Sequence, residues 1–341
     1  MVVYRLIFLK KPTIIRGLLY FCGIMAIIGR DIYQAKAFLE QGNVVGIPTE
    51  TVYGLAGNAF DIEAVTRIFE VKNRPTFDPL IVHTNSIERL SEFVQFIPEK
   101  ALLLAQKFMP GPLTMLLPKH SSIPDLVTSG LDTVAVRIPN HPLTLELLRS
   151  LAFPLAAPSA NPFGYISPTS AQHVAKQLGE KIPYILDGDE CQIGLESTIV
   201  GFENEKVIVY RKGGLAVEDI EKIVGKVRVN SHSSSNPKAP GMLKSHYSPR
   251  KNLLIYRGEN LGNNLDKIGY LAFQQYNSEI PRENQLILSE SGDYKEAAKH
   301  LFAYMRKLDN MNIDRIYVEL LPEKDLGSAI NDRLKRAAVK V

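Results

Sequence analysis

The chain reads as a mixed α/β protein in two units, a large helix-flanked sheet followed by a smaller α/β unit. Three observations predict this. Capped amphipathic helices alternate with short apolar strands through most of the length. A polar, turn-rich run at residues 231–237 breaks that alternation. Apolar residues make up 45% of 341 and charged residues 22%, enough to bury a core in each of two units.

The first unit is expected to open on a helix capped by Asp31 and running to Gln41, with Ile32, Ala35, Phe38 and Leu39 on one face and Gly42 ending it. Residues 44–48 form a short apolar strand, the first of this body. Asp61 caps a second helix carrying Ile62, Val65, Ile68 and Phe69. Strands are expected at 80–84, 113–118, 134–139, 155–158, 184–187, 197–202 and 206–211. Helices are expected at 98–108, led by Pro98, at 142–150, led by Pro142, and at 170–178 and 217–224. The strands alternate only loosely and helices separate many of them, which favours a mixed sheet over a sandwich.

Residues 226–252 then read as a linker. Its last part, Pro240-Gly241-Met242-Leu243-Lys244-Ser245-His246-Tyr247-Ser248-Pro249, carries an aromatic, an imidazole and a lysine that a plain spacer does not need. The second unit, 253–341, has strands at 253–256, 268–273, 286–289 and 315–320 and helices at 293–310 and 326–339. This is a small Rossmann-like pattern, but without the Gly-x-Gly-x-x-Gly loop of dinucleotide sites.

Several function classes drop out. No Gly-x-x-x-x-Gly-Lys-Ser/Thr loop, His-Glu-x-x-His pair or Gly-x-Ser-x-Gly elbow occurs, and the seven histidines are scattered. No direct metal ligands are assigned. Two cysteines, Cys22 and Cys191, argue against a disulfide scaffold and for a reducing cytoplasm. The net charge of +4 comes from Arg5, Lys10, Lys11 and Arg16, with no acid before residue 25. The remainder is neutral, unlike a general nucleic-acid binder. Those first 24 residues lead into the apolar run 17–28, which resembles a secretory signal but shows no clear small-x-small cleavage site. The preferred reading makes Met25 the start and residues 1–24 an upstream extension. A cytosolic N-terminal strand and an export or membrane signal are the alternatives.

Chemistry concentrates between residues 48 and 86. Pro48-Thr49-Glu50-Thr51-Val52-Tyr53-Gly54-Leu55 ends a strand with hydroxyls and a carboxylate and leads into a helix. Such groups can orient a polar ligand at a sheet edge or cap a turn. Lys72 and Arg74 close the helix before Pro75. They either complement its dipole or form an anion site, with arginine as a fork and lysine as a point charge. His83 ends the next strand and, taken alone, fits a half-buried structural histidine. Arg137, in Val134-Ala135-Val136-Arg137-Ile138-Pro139, needs an anionic partner, whether a structural or a substrate carboxylate. Ser159-Ala160-Asn161 follows a strand with short polar side chains that suit ribose or phosphate, or an Asx turn.

Taken in order, Pro-Thr-Glu-Thr-x-Tyr-Gly-Leu, Lys72-Asn73-Arg74-Pro75, Pro79-Leu80-Ile81-Val82-His83, Pro110-Gly111-Pro112-Leu113-Thr114, Val136-Arg137-Ile138-Pro139 and Ser159-Ala160-Asn161 resemble the threonylcarbamoyl-adenylate synthases, over about residues 29–225. The linker motif and the second unit resemble the long, two-domain form, except at Leu243-Lys244-Ser245, where a more aromatic and basic stretch is common. The resemblance implies a YrdC-like fold at 25–225. It also implies a reaction in which L-threonine, bicarbonate or CO2 and ATP give threonylcarbamoyl-AMP and pyrophosphate. Downstream tRNA-modification enzymes would use that product. By the same resemblance, Thr51, His83, Arg137, Ala157 and Ser197 surround threonine. Arg74, Asp78, Thr133, Ser159, Asn161, Ser167 and Arg211 line ATP, and Tyr247 reaches over the pocket. Lys72 and Arg74, with Mg2+ brought by ATP, would offset phosphate charge. No membrane partner is implied, and tRNA contact is allowed but not required. The competing readings are an RNA-binding module, with Lys72, Arg74, Arg211 and Lys212 as a concave basic surface, and a sensor that binds threonine or nucleotide without turnover.

Overall fold

The computed structural model describes residues 13–15, 18–20, 25–230, 239–242 and 246–339. Thr13–Ile15 pairs antiparallel with Leu18–Tyr20. The rest of 1–24, the polar run 231–238 and Leu243-Lys244-Ser245 lie outside the described residues.

The first unit is one mixed sheet of eleven strands among the described residues. Its spatial order is Arg228–Val229, Lys206–Arg211, Thr198–Glu203, Leu113–Pro118, Thr133–Arg137, Ile81–His83, Leu155–Ala156, Gly54–Asn58, Val45–Ile47, Tyr184–Leu186 and Ile27–Gly29. Helices Ile62–Lys72, Glu99–Phe108 and Ala171–Leu178 pack apolar residues such as Val65, Ile68, Leu104 and Val174 into its main core. Ile32–Glu40 and Pro142–Ser150 cover a second apolar cluster around Leu39, Ile47 and Leu147. The caps explain the boundaries. Asp31 accepts from the amides of Tyr33 and Gln34, Asp61 from that of Glu63 and Ser170 from that of His173.

Two corrections concern the start of this unit. Ile27–Gly29, not 44–48, is its first strand, an edge strand parallel to Tyr184–Leu186. The Thr49–Thr51 segment leads not into a helix but into the strand Gly54–Asn58, antiparallel to Val45–Ile47. That strand reads Gly-Leu-Ala-Gly-Asn, which carries almost no β preference. Tertiary packing overrides propensity here, because a Cβ on Gly57 would sit 3.2 Å from Val44 Cγ1 and the strand has neighbours on both sides. The sheet also extends to Val229, beyond residue 225.

The second unit is a four-stranded parallel sheet in the order Asn252–Ile255, Arg315–Val318, Ile268–Ala272, Gln285–Ile287, with helices Tyr294–Asn310 and Gly327–Ala337. It shares a core with the first. Val52, Ile166 and Leu195 pack in one cluster with Leu301, Phe302 and Leu334, and Tyr247 of the linker belongs to the same cluster. Close approach is enforced at Gly194 (φ +73°), where a Cβ would meet the Ala298 carbonyl at 2.6 Å. No described helix is long and apolar enough to cross a membrane.

Candidate active site

Strand register brings the principal groups together. Ile81–His83 runs parallel to Thr133–Arg137 with His83 opposite Arg137, so both side chains leave the same carboxyl edge of the sheet. Ser159 bridges to Gly54 on one side, and Ser197 precedes the strand Thr198–Glu203 on the other. The cavity between them is lined by Arg74, His83, Arg137, Ala157 and Ser159, and further by Ser197, Arg211 and Tyr247. Thr49, Glu196 and His246 also face it.

The arginines differ in their engagement. Arg137 pairs with Glu50 at 2.8 Å, both nearly buried, and its Nε donates to the Gly111 carbonyl at 3.3 Å. Glu50 also accepts from the Asn140 amide at 3.0 Å. The structural carboxylate that Arg137 needed is therefore Glu50. Gly111 lies between Pro110 and Pro112 because a Cβ there would sit 2.4 Å from the Phe108 carbonyl oxygen. Arg74 is clamped by Asp78 at 2.9 Å, and it donates to the Asp78 and Pro79 carbonyls. Arg211 holds the Ser197 carbonyl and hydroxyl, each at 3.0 Å. It has no carboxylate within ion-pair distance among the described residues. Burial lowers its pKa to about 10, still far above neutrality. Arg211 is thus the cavity cation best placed to receive an incoming anion.

Not every expected residue reaches the cavity wall. Thr51 lies behind it, its hydroxyl 2.7 Å from that of Thr49, which in turn closes a tight turn by donating to the Val52 carbonyl. Asp78 is fully buried behind Arg74. Lys72 is buried and donates to the Ser159 and Asn161 carbonyls, so it shapes the loop rather than facing the cavity. Burial and neighbouring Arg74 push its ammonium well below the usual range. Asn161 closes the same loop by donating to the Pro162 and Tyr165 carbonyls. Ser167 donates to Glu196. Thr133 sits at the opposite end of its strand from Arg137, roughly 13 Å away at ~3.3 Å per residue, and is not brought to the cavity. Lys72, Arg74 and Arg211 are each at most 9% exposed, so they do not form a concave basic surface for RNA.

Glu196 and three arginines of the C-terminal domain were not among the candidates. Arg333, fully buried, donates to Glu196 at 2.9 Å; Arg306 donates to the carbonyls of Ser167 and Ile166; Arg336 donates to that of Gly241 at 2.8 Å. Glu196 could have been suspected as a lone acid beside Ser197. The arginines carry no local signal, because they reach the site across 95 to 140 residues of chain. Tyr247 is buried at φ +66°, stacked on Phe302 and edge-on to His246.

Burial, reinforced by Arg137, lowers His83 to about 3 from 6.5, so its imidazole is neutral near pH 7. The unfolded chain takes up that proton near pH 6.5 and the folded protein only near 3. The stability His83 supports is therefore complete above pH 6.5 and declines by roughly 1.4 kcal/mol per pH unit as pH falls toward 3. Urea unfolding at pH 7.5 and 5.5 should show this loss, and His83→Asn should remove ~1 kcal/mol of the difference. An unchanged difference would mean that His83 is not held neutral by the fold.

A family model described as "Telomere recombination" matches residues 37–213, and one described as "Threonylcarbamoyl-AMP synthase, C-terminal domain" matches 215–339. The chain belongs to the threonylcarbamoyl-AMP synthase family. The threonylcarbamoyl-AMP synthase of Pyrococcus abyssi is 40% identical over 321 residues, 89% of this chain and 93% of the relative. That of Bacillus subtilis is 39% identical over 327 residues, 90% and 93%. The crystal structure of P. abyssi Sua5 complexed with L-threonine superposes with a TM-score of 0.84 at 39% identity, covering 92% of this chain and 97% of that one. The long form of the threonylcarbamoyl-AMP synthase family therefore accounts for both units and the segment joining them.

Proposed function

We propose that the protein joins L-threonine, bicarbonate or CO2 and ATP into threonylcarbamoyl-AMP, releasing pyrophosphate, in the cytoplasm. One observation carries this reading. A neutral imidazole, an arginine with its own carboxylate, two further buried arginines and two serines converge on one cavity in a chain 40% identical to a named synthase. The P. abyssi relative was solved with L-threonine. Here the His83, Arg137 and Ala157 side of the cavity would take threonine, with Arg137 facing its carboxylate. Arg74, Ser159, Ser197 and Arg211 would face the phosphates and ribose.

The chemistry asks for positioning. A neutral threonine amine attacks CO2 and gives up a proton to solvent, and an oxygen of the resulting carbamate then attacks the α-phosphorus in line as its bond to pyrophosphate breaks. Fixed cations at the phosphates stabilise the charge that develops on the leaving group. Holding the reactants in register is worth ~7–11 kcal/mol of barrier, and no enzyme nucleophile is needed. Among the described residues no group of three or more His, Cys, Asp or Glu side chains is placed to hold a metal. The carboxylates beside the cavity are engaged by arginines. These donors do not fit a protein-held ion, so magnesium is read only as a counter-ion carried by ATP.

The free space in the cavity is only ≈ 50 Å³, against roughly 300–1,000 Å³ for small-molecule sites. Pro240, Gly241, His246 and Tyr247 line it, so admitting ATP would require these residues to move outward, and their return would exclude water from a labile product. The test is purified protein with L-threonine, bicarbonate, ATP and magnesium. Pyrophosphate release should require both threonine and bicarbonate, and mass spectrometry should show the carbamoyl-adenylate. ATP bound but not turned over would favour the sensor reading.

A further inference from the structure

We propose that Arg333, from the last helix of the C-terminal domain, is a positioning residue for the nucleotide. It neutralises Glu196 in the cavity wall and backs the ring of Tyr247. This rests on the reading of the cavity as an ATP site.

Glu196 poses the problem. Its carboxylate lines the cavity at 6% exposure, beside the place assigned to a triphosphate. An uncompensated carboxylate there would repel the phosphates through a medium that screens poorly. Arg333 meets that charge from the other domain. Its Nε donates to Glu196 Oε2 at 2.9 Å, Nη1 to Asp332 at 2.8 Å and Nη2 to the Lys212 carbonyl at 2.8 Å, so the guanidinium fork is used on all sides and cannot swing away. Ser167 donates to the other Glu196 oxygen at 2.5 Å.

Two connections make this more than an interdomain bridge. Glu196 adjoins Ser197, whose carbonyl and hydroxyl are held by Arg211, so a displaced Glu196 drags the arginine best placed for phosphate. The Arg333 guanidinium also lies 5.1 Å from the centre of the Tyr247 ring, within cation–π range. One side chain of the second domain thus sets both the charge of the wall and the seat of the covering aromatic.

The experiment compares wild type, Arg333→Met, Arg333→Lys and Glu196→Gln/Arg333→Met in the full chain, by equilibrium ATP binding and by pyrophosphate release with ATP and threonine titrated separately. Arg333→Met should weaken ATP binding and raise its KM by at least ~10-fold, with the threonine KM within ~3-fold at saturating ATP. Removing both charges should recover at least ~3-fold of the lost ATP affinity but stop short of wild type, because the contact with Tyr247 stays lost, and lysine should fall between. Should Arg333→Met fail to fold, the double variant, free of the orphaned charge, carries the test through its ATP Kd. The proposal is overturned if folded Arg333→Met binds ATP normally, if ATP and threonine suffer equally, or if the double variant binds ATP no better than the single one. Wild type that binds no ATP would overturn the site reading itself and this proposal with it.

Discussion

Arg74→Ala is expected to reduce pyrophosphate release by about 10³-fold, the scale of removing one fixed donor from developing phosphate charge. The structure adds a cost that is not evident from sequence, where the Lys-x-Arg pair reads as free to face phosphate. Arg74 clamps Asp78 at 2.9 Å, and both side chains are at most 5% exposed. Burial alone pushes the Asp78 carboxyl up; Arg74 is the main opposing influence. Taking Arg74 away leaves a buried acid without its cation, a change that typically costs ~3–5 kcal/mol. The alanine variant should therefore be both inactive and less stable. Arg74→Met/Asp78→Asn separates the two effects, because removing both charges should restore most of the stability and none of the rate. A soluble double variant within tenfold of wild-type turnover would refute a phosphate role for Arg74.

Ending the chain at residue 230 should produce a first unit with under ~1% of full activity and poor solubility. Two physical losses combine. Val52, Ile166 and Leu195 would lose the cluster they share with Leu301, Phe302 and Leu334, and that exposed patch favours aggregation. Glu196 would lose Arg333, and the Ser167 and Ile166 carbonyls would lose Arg306. The covering segment with Tyr247 would be gone as well. On the sequence alone, a cut near Ser234 is expected to leave a folded first domain with poor activity. The shared core predicts a lower melting temperature in addition, measurable by calorimetry against the full chain. A soluble, fully active fragment would show that neither the covering segment nor the arginines of the second unit matter.

Much of this architecture was legible in local chemistry. Asp31, Asp61, Ser170 and Asp293 accept from the first amides of their helices. Pro142 begins its helix, and the strands Leu113–Pro118 and Lys206–Arg211 fall where apolar runs between turn residues put them. These features act within a few residues, so the sequence carries them directly. The glycine-rich strand Gly54–Asn58 escaped because its neighbours, not its own preference, hold it extended.

The site divides along the same line. The family resemblance carried by the ordered motifs implied Arg74, His83, Arg137, Ser159, Ser197, Arg211 and Tyr247, and these line one cavity because a parallel register aligns His83 with Arg137 and short loops carry the others to the same edge. Which of them are free was decided only in three dimensions. Lys72 turned to backbone carbonyls, Thr51 fell behind Thr49, Thr133 went to the far end of its strand, and Glu196 gained a partner from the last helix. Helix caps and strand patterns are contacts between near neighbours and are written locally. Charge pairing between residues 196 and 333 is a contact between distant parts of the chain, and only the packing of one unit on the other creates it.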